Sequence, residues 1–279
     1  MLEGLIFPFQ FSFMIKAFFI VIIVSPPAAL LSCYLVLKGW ALMGDAISHS
    51  VLPGIVLASI FGIPLIIGAF LSGFMCAILS GFLSLNSRVK ADTLIGVVFS
   101  AMFALGLVLY TKLDTDIHLD HILFGNMLGL DFADIILSGV VSALVVTIIL
   151  IKRVDFLIHC FDPIYGHVIG LKINALYYGL LTLLSLTIVS ALSSVGMILS
   201  IGLLIIPGAT AFLVTKQFEK MFVIAVTATI GSGLLGVFIS FFLDSAPEPT
   251  IILILSGCFI SSLIFYKAKT TTNLNNLQR

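Results

Sequence analysis

Nine apolar runs, each about long enough to cross a bilayer, limit the fold of this 279-residue chain more than any other feature. They lie at about 13–37, 42–61, 64–86, 92–111, 131–151, 174–194, 197–214, 219–243 and 249–266. A helix needs about 20 such residues to span the hydrocarbon core. In lipid the backbone must satisfy its own hydrogen bonds, and a helix does so within one segment. Charged residues make up 9% of the chain, against about a quarter in soluble domains. The expected fold class is an all-α integral membrane protein with eight to nine transmembrane helices. The second, third and seventh runs are the weakest, and one of them could be re-entrant.

In this reading residues 1–266 form one polytopic transmembrane domain. The tail 267–279, KAKTTTNLNNLQR, is polar and expected to lack regular structure. The stretch after Lys16 stays apolar to Leu37, longer than the core of a cleaved leader, and Pro26-Pro27 within it reads as a kink. Four cysteines are scattered without a C-x-x-C pair, which indicates neither a disulfide framework nor a thiolate metal site. No basic stripe points to nucleic acid.

Lysine and arginine indicate orientation, because cytoplasmic loops retain them. With the N-terminus outside and the C-terminus inside, eleven of the thirteen basic residues fall on the cytoplasmic side, leaving Lys16 and Lys112 outside. The same arrangement brings Asp114, Asp116 and Asp120 to the outer face. An acidic mouth would concentrate cations there. Equally, a solvated loop can be acidic simply because it avoids positive charge.

Three stretches carry chemistry. The first is GWALMGDAISHSVLPG, Gly39 to Gly54. A helix starting near Trp40 would place Asp45 about 8 Å and His49 about 14 Å into the core, at about 1.5 Å per residue. Residues four apart share one helical face. A carboxylate oxygen beside an imidazole nitrogen suits a first-row divalent metal, and a charge at that depth marks a pathway more often than not. The alternative is an Asp45 that caps a helix N-terminus and a His49 satisfied within the core.

The second stretch is FDPIYGHVIGLK, Phe161 to Lys172. Asp162 is a candidate N-cap, Pro163 fits the first helical position, and Gly170 fits the stop. That describes a helix of about seven residues in a cytoplasmic loop, either a docking element or a helix lying on the membrane. The third is GLLIIPGATAFL, Gly202 to Leu213. Pro207 removes a donor and Gly208 loosens the backbone, so a broken helix is expected there, with Thr210 available to satisfy freed groups. A packing kink is the alternative. No G-x-x-x-x-G-K-[ST], H-E-x-x-H or G-x-S-x-G is present, which leaves no P-loop for ATP and no standard protease apparatus.

Taken together, the stretches resemble the membrane subunits of ABC importers for manganese, iron and zinc. GDAISHSVLPG looks like that family's G-D-[AST]-[LI]-[SA]-H-[AS] motif. IIPGATA resembles its P-[AG]-A-T-A segment, and FDPIYGHVIGL its cytoplasmic loop. The lead-in LKGWALMGDAISHSVLPG is closer to the manganese/iron branch than to zinc permeases. The resemblance covers essentially the whole chain. It implies a permease of the cobalamin-importer (type II) class in a bacterial cytoplasmic membrane. It also implies a homo- or heterodimer of membrane subunits, a separate ATP-binding subunit, and an extracytoplasmic metal-binding protein.

The resemblance carries metal positions over only to Asp45 and His49. It implies coupling to the ATPase at Asp162, Pro163 and Gly170, and a gate at Pro207, Gly208 and Thr210. No permanently bound cofactor is implied. LDSAPEP departs from the family, which more usually has a Gly-containing turn after the aspartate, so Asp244 receives no role. Two rival readings stand beside this one. An ATP-independent metal channel would share the pair and the acidic mouth. A membrane metalloenzyme would use His49, His118 and His121.

Overall fold

The computed structural model describes residues 7–112 and 127–277. After a short turn at Phe7–Gln10, the helices are α1 (Ser12–Lys38), α2 (Met43–Ser50), α3 (Leu52–Phe61), α4 (Leu65–Asn86) and α5 (Ala91–Lys112). A second turn at Met127–Gly129 precedes α6 (Phe132–Ile151), α7 (Arg153–Phe161), α8 (Pro163–Val168), α9 (Ile173–Val214), α10 (Phe218–Leu243) and α11 (Pro247–Leu277). Counting α2 and α3 as one span, eight helical segments among the described residues are long and apolar enough to cross a membrane.

The longest, α9, has 42 residues. Straight, it would measure about 63 Å, twice the hydrocarbon core. It folds back instead. Gly196 sits at φ 77°, ψ 174°, a region that side chains all but exclude. Before this point Tyr177 packs on Trp40, just past the end of α1, and Ser194 meets Ser138 near the start of α6. After it, Gly208 meets Ser32, close to the end of α1 again. The sixth and seventh apolar runs are the two legs of α9, and the described residues form nine legs, with the described ends on opposite faces.

A neighbouring serine satisfies the carbonyl that Pro27 leaves free. Pro27 has no N–H for the Ile23 carbonyl; the Ser142 hydroxyl donates to that carbonyl at 2.6 Å. At Pro207 the helix was expected to break, and it does not: α9 runs unbroken to Val214. Ser32 of α1 bonds to the residues on either side of the proline. Its hydroxyl accepts from the Gly208 N–H at 2.8 Å and donates to the Ile205 carbonyl at 3.2 Å. Thr210 bonds back to the Ile206 carbonyl, one turn earlier in its own helix. The break lies at Gly196.

Lipid removes most of the hydrophobic drive between helices, so close packing and polar contacts hold such a bundle together. A Cβ at Gly208 would lie 2.4 Å from the Ser32 carbonyl oxygen, which shows how nearly the two backbones touch. The core gathers around α1 and α9. Tyr34, fully buried, is ringed by Phe156, Phe218 and Phe222. On the periphery, side chains such as Leu71, Val97, Val140 and Leu253 point outward, as a lipid-facing surface requires. The tail 267–277, expected to be irregular, continues α11 as helix.

Candidate functional site

The chain leaves α1 at Lys38 and turns through Trp40, whose carbonyl accepts the Met43 N–H at 3.0 Å. That bond starts α2 at Met43, later than expected. Asp45 is therefore the third residue of α2 and not its cap; the cap position is Leu42, which contributes no side-chain bond. A carboxylate in the first turn is favoured there by the helix dipole.

One turn on, His49 Nε2 lies 3.3 Å from Asp45 Oδ1. Both side chains are about one-third exposed, at 29% for His49 and 34% for Asp45. The pair is part-exposed and not sealed in the core. The His49 ring lies against Phe99 and Phe103 of α5, with centroids 5.9 and 5.3 Å away. Its Nδ1 is buried and has no hydrogen-bond partner. A core histidine satisfied by its surroundings would not look like this.

The same stripe of helix continues to Pro53, four residues after His49. Pro53 has no N–H to offer the His49 carbonyl, and α2 gives way to α3 at Val51. The Ser72 hydroxyl donates to the next carbonyl, Ser50, at 2.6 Å and fixes the joint to α4. Among the described residues, no group of three or more His, Cys, Asp or Glu side chains comes together. One chain thus presents two donors, an oxygen and a nitrogen.

At the opposite end from Phe7, Asp162 begins α8 as the sequence suggests. Its Oδ1 accepts the Tyr165 N–H at 2.9 Å, and Pro163 takes the first helical position. Gly170, at φ 84°, follows the end of this six-residue helix. Gly166 packs against Ile173 and Ile158. Ile164 and Val168 are about four-fifths exposed, an apolar surface beyond the spans.

Pro207, Gly208 and Thr210 sit on the second leg of α9. Gly44, just before Asp45, lies against Leu204 of that leg. The structure therefore brings the second leg to the pair, while α8 stands apart from it. Asp114, Asp116, Asp120, His118 and His121 lie outside the described residues. Phe99, Phe103 and Ser32 were not singled out in the sequence, where nothing local distinguishes them from other membrane-helix residues.

The profile of the ABC 3 transport family matches residues 10–266. The chain belongs to this family. It is 52% identical over 269 residues to a probable iron transport system membrane protein of Haemophilus influenzae, covering 96% of this chain and 99% of that one. It is 43% identical over 260 residues to the manganese transport system membrane protein MntB of a Synechocystis strain, covering 93% and 85%. Among solved structures, PsaBC from Streptococcus pneumoniae in complex with Fab superposes with a TM-score of 0.83 at 36% identity, over 94% of this chain and 95% of that one. The all-helical architecture is that of a type II ABC permease, and the chain is a multi-pass membrane component of an ABC transport system.

Proposed function

We propose that this chain forms the path of a divalent transition metal, manganese or ferrous iron before zinc, through an ATP-driven importer. The observation that carries the proposal is the Asp45–His49 pair: 3.3 Å apart, part-exposed, with a buried and unpartnered Nδ1. Two donors hold a metal weakly. A second permease copy would bring a matching pair across a dimer axis and complete a set of two oxygens and two nitrogens, which suits these metals. Few ligands keep affinity moderate, and an ion in transit must leave as readily as it enters. The iron and manganese in the relatives' names favour the same cargo.

The basic residues favour an orientation. Lys38, Lys152, Arg153, Lys172, Lys216 and Lys220 lie at or beside the helix ends on the face that also carries α8, which favours this face as the cytoplasmic one of a bacterial inner membrane. There α8 would receive the ATP-binding subunit on Ile164 and Val168, with Asp162, Pro163 and Gly170 fixing its geometry. On the outer face, Asp114, Asp116 and Asp120 would collect cations delivered by an extracytoplasmic binding protein. ATP, bound by the partner subunit, would shift the gate between two states, and Pro207, Gly208 and Thr210 lie on the leg that packs beside the pair.

The test is reconstitution of the permease with its ATPase and binding protein in liposomes. Manganese or ferrous iron should accumulate only with ATP. Uptake of equal rate without ATP would favour the channel reading, and metal-dependent turnover of a substrate without uptake would favour the metalloenzyme.

A further inference from the structure

We propose that Lys38 is a positioning residue that ties the α7–α8 connection to the helix bearing Asp45 and His49. The inference rests on the transport reading above. Lys38 ends α1, seven residues before Asp45. Its Nζ donates to the His159 carbonyl on α7 at 3.2 Å. The same ammonium lies 5.8 Å from the centre of the Trp40 ring. Trp40 stands edge-on to Tyr177 at 5.2 Å, and Tyr177 stands edge-on to His159 at 5.8 Å. The contacts close a ring of four residues: Lys38 at the end of α1, Trp40 in the turn after it, His159 of α7 and Tyr177 near the start of α9.

The ring is a solid joint. His159, Trp40 and Tyr177 are 2%, 6% and 6% exposed. The His159 imidazole makes no hydrogen bond through either nitrogen, so packing holds it, and its main-chain carbonyl receives the lysine. One side of the joint leads to α8. Asp162 alone separates α7 from α8, and Gly166 of α8 presses on Ile158 of α7 and on Ile173. The other side leads to the pair, because the Trp40 carbonyl holds the first N–H of α2.

A displacement of α8 must therefore move α7, and α7 is pinned to the turn from which α2 starts. The aromatic contacts in the joint can slide past one another. The lysine bond cannot slide without breaking, since a charge-assisted hydrogen bond in a poorly solvated site has a defined length and direction. Lys38 would thus convert motion of α8 into motion of the first turn of α2, where Asp45 sits.

The test uses the full transporter in liposomes and reads manganese ions imported per ATP hydrolysed. Lys38→Met should hydrolyse ATP at close to the unmodified rate yet import about tenfold fewer ions per ATP, the scale expected for losing one charge-assisted hydrogen bond. Lys38→Arg should restore most of the ratio. Lys38→Gln replaces Lys38→Met if the latter does not assemble. An unchanged ratio in the neutral variants would overturn the proposal. So would hydrolysis and uptake falling in equal proportion with no rescue by arginine, the mark of a purely structural role. Asp45→Asn in the same liposomes separates the two readings: normal uptake there would defeat the metal pathway whatever Lys38 does.

Discussion

The Ser32 hydroxyl and the Gly208 N–H, 176 residues apart in sequence, form a 2.8 Å hydrogen bond inside the bundle. That bond, next to Pro207, ties the second leg of α9 to α1. Interhelical hydrogen bonds in membranes contribute about 0.6 kcal/mol on average and up to about 1.7. Ser32→Ala should lower stability within that range. Gly208→Ala should cost more, because its Cβ would lie 2.4 Å from the Ser32 carbonyl oxygen, which belongs to the backbone and cannot rotate away. Thermal unfolding in detergent ranks the two, and a milder Gly208→Ala would contradict the packing described.

Gly196 makes the reversal of α9 possible. With φ 77° and ψ 174°, any side chain there costs about 1–3 kcal/mol or more. Gly196→Ala should reduce the yield of folded protein. Gly139→Ala is the control, since that glycine lies within α6 and its added Cβ would meet nothing within 4 Å. Equal yields from the two variants would show that α9 needs no glycine to turn.

His159 gives the joint around Lys38 a pH dependence. Burial, and secondarily the Lys38 charge, lower its pKa from 6.5 to about 4. Between those values the unfolded chain binds a proton that the folded chain excludes. The neutral histidine is therefore fully compatible with the fold above about pH 6.5, and stability falls as pH drops toward 4. At about 1.4 kcal/mol per pH unit at most, the loss reaches a few kcal/mol. His159→Phe should flatten this part of the stability profile. A profile as steep as the unmodified protein's would place the titrating group elsewhere.

The α8 helix is fixed by local features that can be removed singly. Asp162→Ala deletes the cap bond to Tyr165, worth roughly 1 kcal/mol. Gly170→Val places a β-branched residue at φ 84°. Both variants should insert and hydrolyse ATP while importing less metal per ATP. Normal ratios in both would remove α8 as the coupling element.

What the sequence made legible is what depends on near neighbours. The apolar runs mark the spans because lipid forces each to satisfy its own backbone. Asp162, Pro163 and Gly170 lie within nine residues of one another, and α8 has the form their order suggests. The Asp45–His49 contact follows from a spacing of four. The start of α2 was not legible, because the Trp40 turn sets it and the turn is held by Tyr177 and His159 from far along the chain. The proline at 207 was the stronger breaking signal, yet the helix continues through it, with Ser32, 175 residues away, bonded to Ile205 and Gly208. The quieter Gly196, between the sixth and seventh runs, is where the chain reverses. The polar tail extends α11 because adding turns to an existing helix avoids the cost of starting one.

The central claim, that Asp45 and His49 handle the transported metal, is tested most directly by Asp45→Asn in the reconstituted transporter. Asparagine keeps the size of the side chain and removes its charge. Asp45 does not cap α2, and its side chain is about one-third exposed, so the fold has little reason to change. Uptake of manganese should be lost, while protein level, dimer formation and ATP hydrolysis with the partner subunit persist. Uptake at the unmodified rate would contradict the account, because an ion path that does not use the Asp45 charge is not the one described.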